Sequence, residues 1–291
     1  LGISDRQLRG PAFRPVFPGV LVHAAVPDTV VVRSRAALLV APEGGVISHW
    51  TAARLWGGRV PDNDWLHVSY MRDVRFRTAG VRTHRFRHRL HILHRHGLPV
   101  TSPEQTFCHL ARFLGLVDLV AFGDSIARKG RLVPAELVGY ADDWVGQCRD
   151  QALAAARLVR PRVDSSPETA LRLLMVLGGL PEPDVDIQIR DDDGTLRFRL
   201  DLGYEAARLA IEYDGRWHDE DAQREHDVDR RQWLHDKEGW TFVVVGPEDL
   251  FGDPEGLLVR LEQALRACGV ATPPLVSQAW RAHFRVARVA A

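Results

Sequence analysis

Carboxylates recur at strand spacing within one short stretch, residues 197–218, RFRLDLGYEAARLAIEYDGRWH. Over 198–202 and again over 209–214, apolar and polar residues alternate at period 2, the pattern of two strands joined by a tight turn. Successive strand side chains point to opposite faces, so Phe198, Leu200 and Leu202 share one face while Asp201 takes the other. By the same rule Leu209, Ile211 and Tyr213 face a core, and Glu212 and Asp214 share the opposite face. A turn centred on Ala206-Ala207 puts Asp201 across from Glu212, with Cβ atoms roughly 4.5–5.5 Å apart. Three carboxylates gathered on one face repel each other unless a cation joins them, which makes this a candidate metal site.

The surrounding residues spell out a frame for that hairpin. Ser166-Pro167-Glu168 starts a helix that runs to Leu177 and stops at Gly178-Gly179. Residues 185–190 form a strand, followed by the turn signal Asp192-Asp193-Gly194. After the carboxylate hairpin come a charged helix over about 219–237, Gly239 as its stop, a buried strand over 240–245 and a last helix over about 254–267. The order is helix, three strands, helix, strand, helix. Residues 269–291 read as an apolar-basic tail without legible chemistry.

Residues 1–160 form a second unit of mixed α/β character. Ser4 caps a short helix, residues 13–22 pass into a hairpin, and 32–41 and 48–56 are helical. Residues 65–70 alternate as a strand. Ser102-Pro103 opens a further helix, followed by helices over 116–127 and 134–144, with the Arg-rich run 157–162 and 164–166 as linker. Residues 72–96 carry eight arginines, among them Arg85, Arg87 and Arg89, with Asp73 as the only acid. That is the composition of a phosphate-backbone patch. Five histidines lie between His84 and His96, but strand alternation scatters them over two faces.

Net charge is zero, with 38 basic and 38 acidic residues, yet residues 1–163 hold 23 Arg/Lys against 13 Asp/Glu, leaving 15 against 25 beyond them. A basic half beside an acidic half with a carboxylate cluster fits a polyanion-binding module joined to a metal-dependent one, and equally two complementary domains. No apolar run reaches the roughly 20 residues of a membrane span. The three cysteines lack metal-binding spacing and read as buried thiols of a cytoplasmic protein.

Helix–βββ–helix–β, with an Asp on the second strand and Ile211-Glu212-Tyr213-Asp214-Gly215 on the third, resembles the PD-(D/E)XK restriction-endonuclease-like fold. Trp217-His218, and later Arg230-Arg231 before Gly239-Trp240, narrow the likeness to the very short patch repair (Vsr) endonucleases, over residues 164–268. The first half resembles AbiEi-type antitoxin and regulator domains through Phe17-Pro18-Gly19-Val20, residues 48–57 and Val100-Thr101-Ser102-Pro103. It implies a winged-helix remnant and a role facing DNA or a protein partner such as a toxin.

The resemblance implies a DNA endonuclease or nickase. Asp201 and Glu212 would hold Mg²⁺ or Mn²⁺, and Glu168 matches the upstream acidic position. His218 would act as general acid or base, and Arg224, Arg230 or Arg231 would stabilise charge growing on the phosphate. Most basic residues of that helix are expected to pair with its own acids at i,i+4. One departure stands out: Asp214 occupies the position of the motif lysine, and the chain's two lysines, Lys129 and Lys237, lie elsewhere. The Vsr group also lacks that lysine and places a histidine there. An acid at this point is a third ligand or a base. The rival expectation is a non-catalytic, antitoxin-like regulator on a degenerate nuclease fold.

Overall fold

Ser4, Thr29, Ser102, Ser165 and Asp253 each accept a backbone N–H from the first turn of the helix that follows. Each thereby satisfies a donor that a helix start leaves without an intrahelical partner. Proline in the first turn reinforces three of these starts, at Pro103, Pro167 and Pro254. The computed structural model describes residues 3–215, 221–273 and 277–284, with the backbone alone for 221–227. The chain divides into two units, Leu1–Pro161 and Arg162–Ala291, each mixing helices with β-sheet.

The first unit opens with α1 (Asp5–Leu8) and the antiparallel pair β1 (Phe13–Phe17) and β2 (Val20–His23). Then come α2 (Val30–Val40), β3 (Val46–Ile47), α3 (His49–Leu55), β4 (Leu66–Tyr70), β5 (Val81–Arg85), β6 (Ile92–Arg95) and β7 (Leu98–Thr101). Four helices follow: α4 (Pro103–Leu110), α5 (Leu116–Ala127), α6 (Pro134–Asp142) and α7 (Arg149–Arg157). The five-stranded sheet runs β5-β4-β3-β7-β6, and every residue of β4 is buried. Helix α7 is absent from the sequence reading because its buried face consists of Ala152, Ala155 and Ala156, too small to register as an apolar stripe. The expected linker therefore begins only where α7 ends.

The second unit places α8 (Ser166–Leu177) before β8 (Asp184–Arg190), β9 (Leu196–Tyr204) and β10 (Leu209–Tyr213). After them come α9 (Asp221–Glu238), β11 (Thr241–Val245) and α10 (Pro254–Ala267). The sheet order is β11-β10-β9-β8, with β10 parallel to β11 and the other pairs antiparallel. Helix α8 contacts β9 and β10, while Leu234 of α9 joins Ile187, Ile189, Leu200, Ala210 and Trp240 in one cluster. Both helices pack on the sheet, so β10 is buried from Leu209 through Glu212. That corrects the half-buried alternation expected for this strand: its polar Glu212 lies inside, 7% exposed.

Leu209 faces Tyr204, Ala210 faces Gly203 and Ile211 faces Leu202. One further step of this register sets Asp201 against Glu212, with a 3-10 turn over Glu205–Ala207 and a left-handed Arg208 closing the hairpin. Gly203 is a spacing requirement, since a Cβ there would lie 2.4 Å from the backbone oxygen of Leu209. Gly203→Ala should therefore cost at least about 1–3 kcal/mol and displace the Asp201–Glu212 register. Thermal unfolding of the full chain reads the cost; an unchanged midpoint would mean the strands have room to part.

One further expectation is corrected: the three cysteines are not all buried. Only Cys108 is buried; Cys148 is exposed and Cys268 half-buried. The tail contains a 3-10 turn, Ala279–Ala282, that packs against α8 with Trp280 only 1% exposed, and Arg281 pairs with Glu255 of α10 at 2.6 Å. Among the described residues no helix is long and apolar enough to cross a membrane.

Candidate functional site

Two strands and one helix build the site. β9 supplies Asp201, β10 supplies Glu212 with Asp214 just beyond its end, and α9 supplies Arg230 and Arg231. Together with Tyr213 and Val244 these residues line a cavity of about 120 Å³. Glu212 sits at its buried side, where Arg230 Nη2 donates to both carboxylate oxygens at 2.8 and 2.9 Å. Arg231 Nε lies 3.8 Å from the same carboxylate. Arg230 also donates to the backbone oxygen of Arg199 at 3.2 Å, tying α9 to β9. The expected i,i+4 pairing within the helix therefore does not account for Arg230. Its partner lies on the sheet because α9 lays this face over β10.

Asp201 is half-buried and accepts the backbone N–H of Tyr213 at 3.4 Å. Burial and then the negative charge of Glu212 push its carboxyl up to about 6, against weaker help from the Tyr213 N–H and Arg230. Desolvated negative charge at this point is what a cation would relieve. Asp214 is exposed at the rim, where its backbone N–H donates to the Val245 oxygen and prolongs the β10–β11 ladder.

Glu168 is brought near but not into the cavity. It is 8% exposed and accepts the backbone N–H of Asp164 at 2.9 Å, closing the turn before α8. Burial and then Asp201 push its carboxyl upward. Its electrostatic tie to Asp201 keeps the upstream acidic position within the site's field, while its hydrogen bond serves the helix start. His218 lies outside the described residues, and so does the side chain of Arg224.

Sequence comparison adds two relatives: "Uncharacterized protein Rv2248" and "Uncharacterized protein MT2308", from two strains of Mycobacterium tuberculosis. Each is 30% identical over 221 residues, covering 74% of this chain and 79% of the relative. The chain belongs to their family. No family profile matches this chain, and no solved structure matches it significantly.

In this member of the family, Arg85, Arg87 and Arg89 all lie exposed at alternating positions along and beyond β5. Arg85 pairs with Asp73, the acid that breaks the basic run. The intervening His84, Phe86 and His88 turn inward and line a second, larger cavity. His91, His94 and His96 are exposed. Only two of the five closely spaced histidines therefore share an environment, but they meet His49, His67 and His109 from other elements. Sequence spacing held no signal for that meeting, because the partners lie on α3, β4 and α4.

Proposed function

We propose that the second unit hydrolyses phosphodiester bonds in DNA with a divalent cation, in the manner of the PD-(D/E)XK enzymes related to the Vsr endonucleases. The observation that carries the reading is that Asp201 and Glu212, opposed across the hairpin, line one small cavity with Arg230 and Arg231, where Asp201 is held with a raised pKa. Asp214 lines the rim of that cavity, and the three carboxylates do not all close to within 4.8 Å of one another. The αβββαβ order and the β11-β10-β9-β8 sheet support the same assignment. The donor set fits Mg²⁺ or Mn²⁺ because it is made of hard carboxylate oxygens. Asp201 and Glu212 would hold the ion, with Asp214 at the rim as a further oxygen donor. When bound, such an ion polarises a phosphodiester oxygen and eases ionisation of the attacking water. Arg230 and Arg231 would bind the phosphate and offset charge that grows on it, and Glu168 holds the start of α8 beside Asp201.

The exposed Arg85, Arg87 and Arg89 of the first unit supply sequence-independent contacts to a nucleic-acid backbone. This supports an AbiEi-like, DNA-facing or partner-facing role for that unit.

One observation favours a second reading. Glu212 already has a bidentate partner in Arg230, and a carboxylate so neutralised suits a non-catalytic, DNA-binding regulator. The deciding assay incubates the full chain with supercoiled, nicked, mismatched and single-stranded DNA, with Mg²⁺, Mn²⁺ or EDTA. Metal-dependent cutting of at least one form is expected. No cutting of any form, together with metal-independent DNA binding, would transfer the conclusion to the regulator.

A further inference from the structure

Three imidazoles of the first unit meet although nothing in the proposed nuclease reading uses them. His49 begins α3, His67 lies on β4 and His84 on β5, and one nitrogen from each lies within 4.8 Å of the other two. His67 is fully buried and His49 is 2% exposed.

The hydrogen bonds settle the protonation of the central ring. Asn63 Oδ1 accepts the backbone N–H of Trp65 at 3.0 Å, so that amide atom is the oxygen. The same oxygen lies 3.1 Å from His67 Nε2, which must then carry the proton. The Nδ1 lone pair of His67 consequently points at His84 Nε2, 2.8 Å away. An oxygen acceptor behind one ring nitrogen, orienting the lone pair of the other, is the usual outer support of a metal-ligating histidine. His49 has a comparable support, since its Nδ1 lies 2.8 Å from Ser48 Oγ, itself bonded to Ser69.

His49 is also held in the left-handed region, φ +50°. For a residue that is not glycine this conformation costs on the order of 1–3 kcal/mol, and such strain clusters at functional sites.

His49 and His84 line a cavity of about 640 Å³, and among the described residues no acidic one is in its wall. Arg85, Arg87 and Arg112 line it too. So does His109, 4% exposed, with both ring nitrogens unpartnered among the described residues. Cys108 is in the wall as a thiol, because burial pushes its pKa up to about 12.

We propose that His49, His67 and His84 form a three-histidine site for a zinc-class divalent ion, with the fourth position open to this cavity for water or an oxyanion. Three imidazoles and no carboxylate suit Zn²⁺, Co²⁺ or Ni²⁺ rather than Mg²⁺, so the site is chemically distinct from the carboxylate cluster of the second unit. Three neutral ligands leave the ion's full charge in place, which favours an anionic fourth ligand. Arg112 and the N–H of His109 are placed to receive its other oxygens.

Coordination asks for a definite rearrangement. Nitrogens on a tetrahedral zinc ion stand roughly 3.3 Å apart. The His67–His84 contact must therefore open by about half an ångström, and the His49 ring, now stacked on His84 at 3.9 Å between centroids, must turn.

The test uses the full chain, dialysed against Zn²⁺ and examined by metal analysis and by X-ray absorption at the zinc edge. One equivalent is expected, with imidazole scattering from three histidines. His67→Ala should abolish uptake, Asn63→Ala should weaken it by roughly 10- to 100-fold, and His94→Ala, on exposed β6, should leave it unchanged. Less than a tenth of an equivalent on the wild-type chain would overturn the site. So would a zinc shell with one imidazole or none, a result that does not depend on any variant folding.

Discussion

Asp201→Asn is expected to abolish metal-dependent DNA cleavage while leaving the metal-free chain as stable as the wild type, or more so. The loss of activity should be at least about a hundredfold, since removing a charged ligand forfeits several kcal/mol of stabilisation at 1.36 kcal/mol per decade. The stability effect follows from linkage. Asp201's carboxyl ionises at about 6 in the folded chain against an ordinary 3.8. Between those values the folded state holds a proton that the unfolded state has lost. Stability of the metal-free chain thus falls as pH rises from about 4 to about 6, by on the order of 2–3 kcal/mol from this group. Asparagine keeps an oxygen to accept the Tyr213 N–H and has no charge to bury, so the variant should lack this slope. Mg²⁺ should lower the wild-type midpoint of that titration and leave the variant unmoved. A variant that cuts DNA normally would remove Asp201 from the chemistry. One that is destabilised at pH 7 would make the carboxylate a structural element instead.

The parts of this site that were legible in the sequence are those set by local rules. The period-2 pattern on either side of Ala206-Ala207 fixes which residues oppose one another, and the observed pairs from Leu209–Tyr204 to Ile211–Leu202 follow that register. Helix starts at Ser102 and Ser165 follow from capping chemistry that lies within four residues. What could not be read is set by tertiary contact. Burial of both faces of β10 depends on where α8 and α9 lie, so the sequence puts Glu212 only on the face opposite the core, and the structure shows that face buried as well. The Arg230–Glu212 pair spans 18 residues and two elements, whereas spacing rules on a helix reach only to i+4. The histidine cluster fails for the same reason. His84 lies within a histidine-rich run, but its neighbours His49 and His67 come from α3 and β4, and of the histidines that follow it only His88 turns into the same cavity, while His91, His94 and His96 are exposed.

The strongest discrimination between enzyme and regulator comes from Arg230. In the metal-free chain its guanidinium offsets the buried charge of Glu212, and Arg230→Ala leaves that charge facing Asp201 across the hairpin. Breaking a buried pair from one side costs about 3–5 kcal/mol, and thermal unfolding in EDTA should show a loss of that order. The two readings then diverge. If Asp201 and Glu212 form a cation site, Mg²⁺ competes with Arg230 for Glu212 in the wild type and, in the variant, meets there the more distant Arg231 without the close Arg230 contact. At a hundred times its dissociation constant the ion returns about 2.7 kcal/mol, so most of the lost stability should be recovered, and the variant's midpoint should rise with Mg²⁺ more steeply than the wild type's. If the cluster is a relic whose charge Arg230 neutralises permanently, no cation has a place there, and the variant stays destabilised at every Mg²⁺ concentration. Cleavage adds a second axis. Tighter Mg²⁺ binding with slower cutting would assign Arg230 to the phosphate, because the ion would be present while the charge that offsets the reacting phosphate is not.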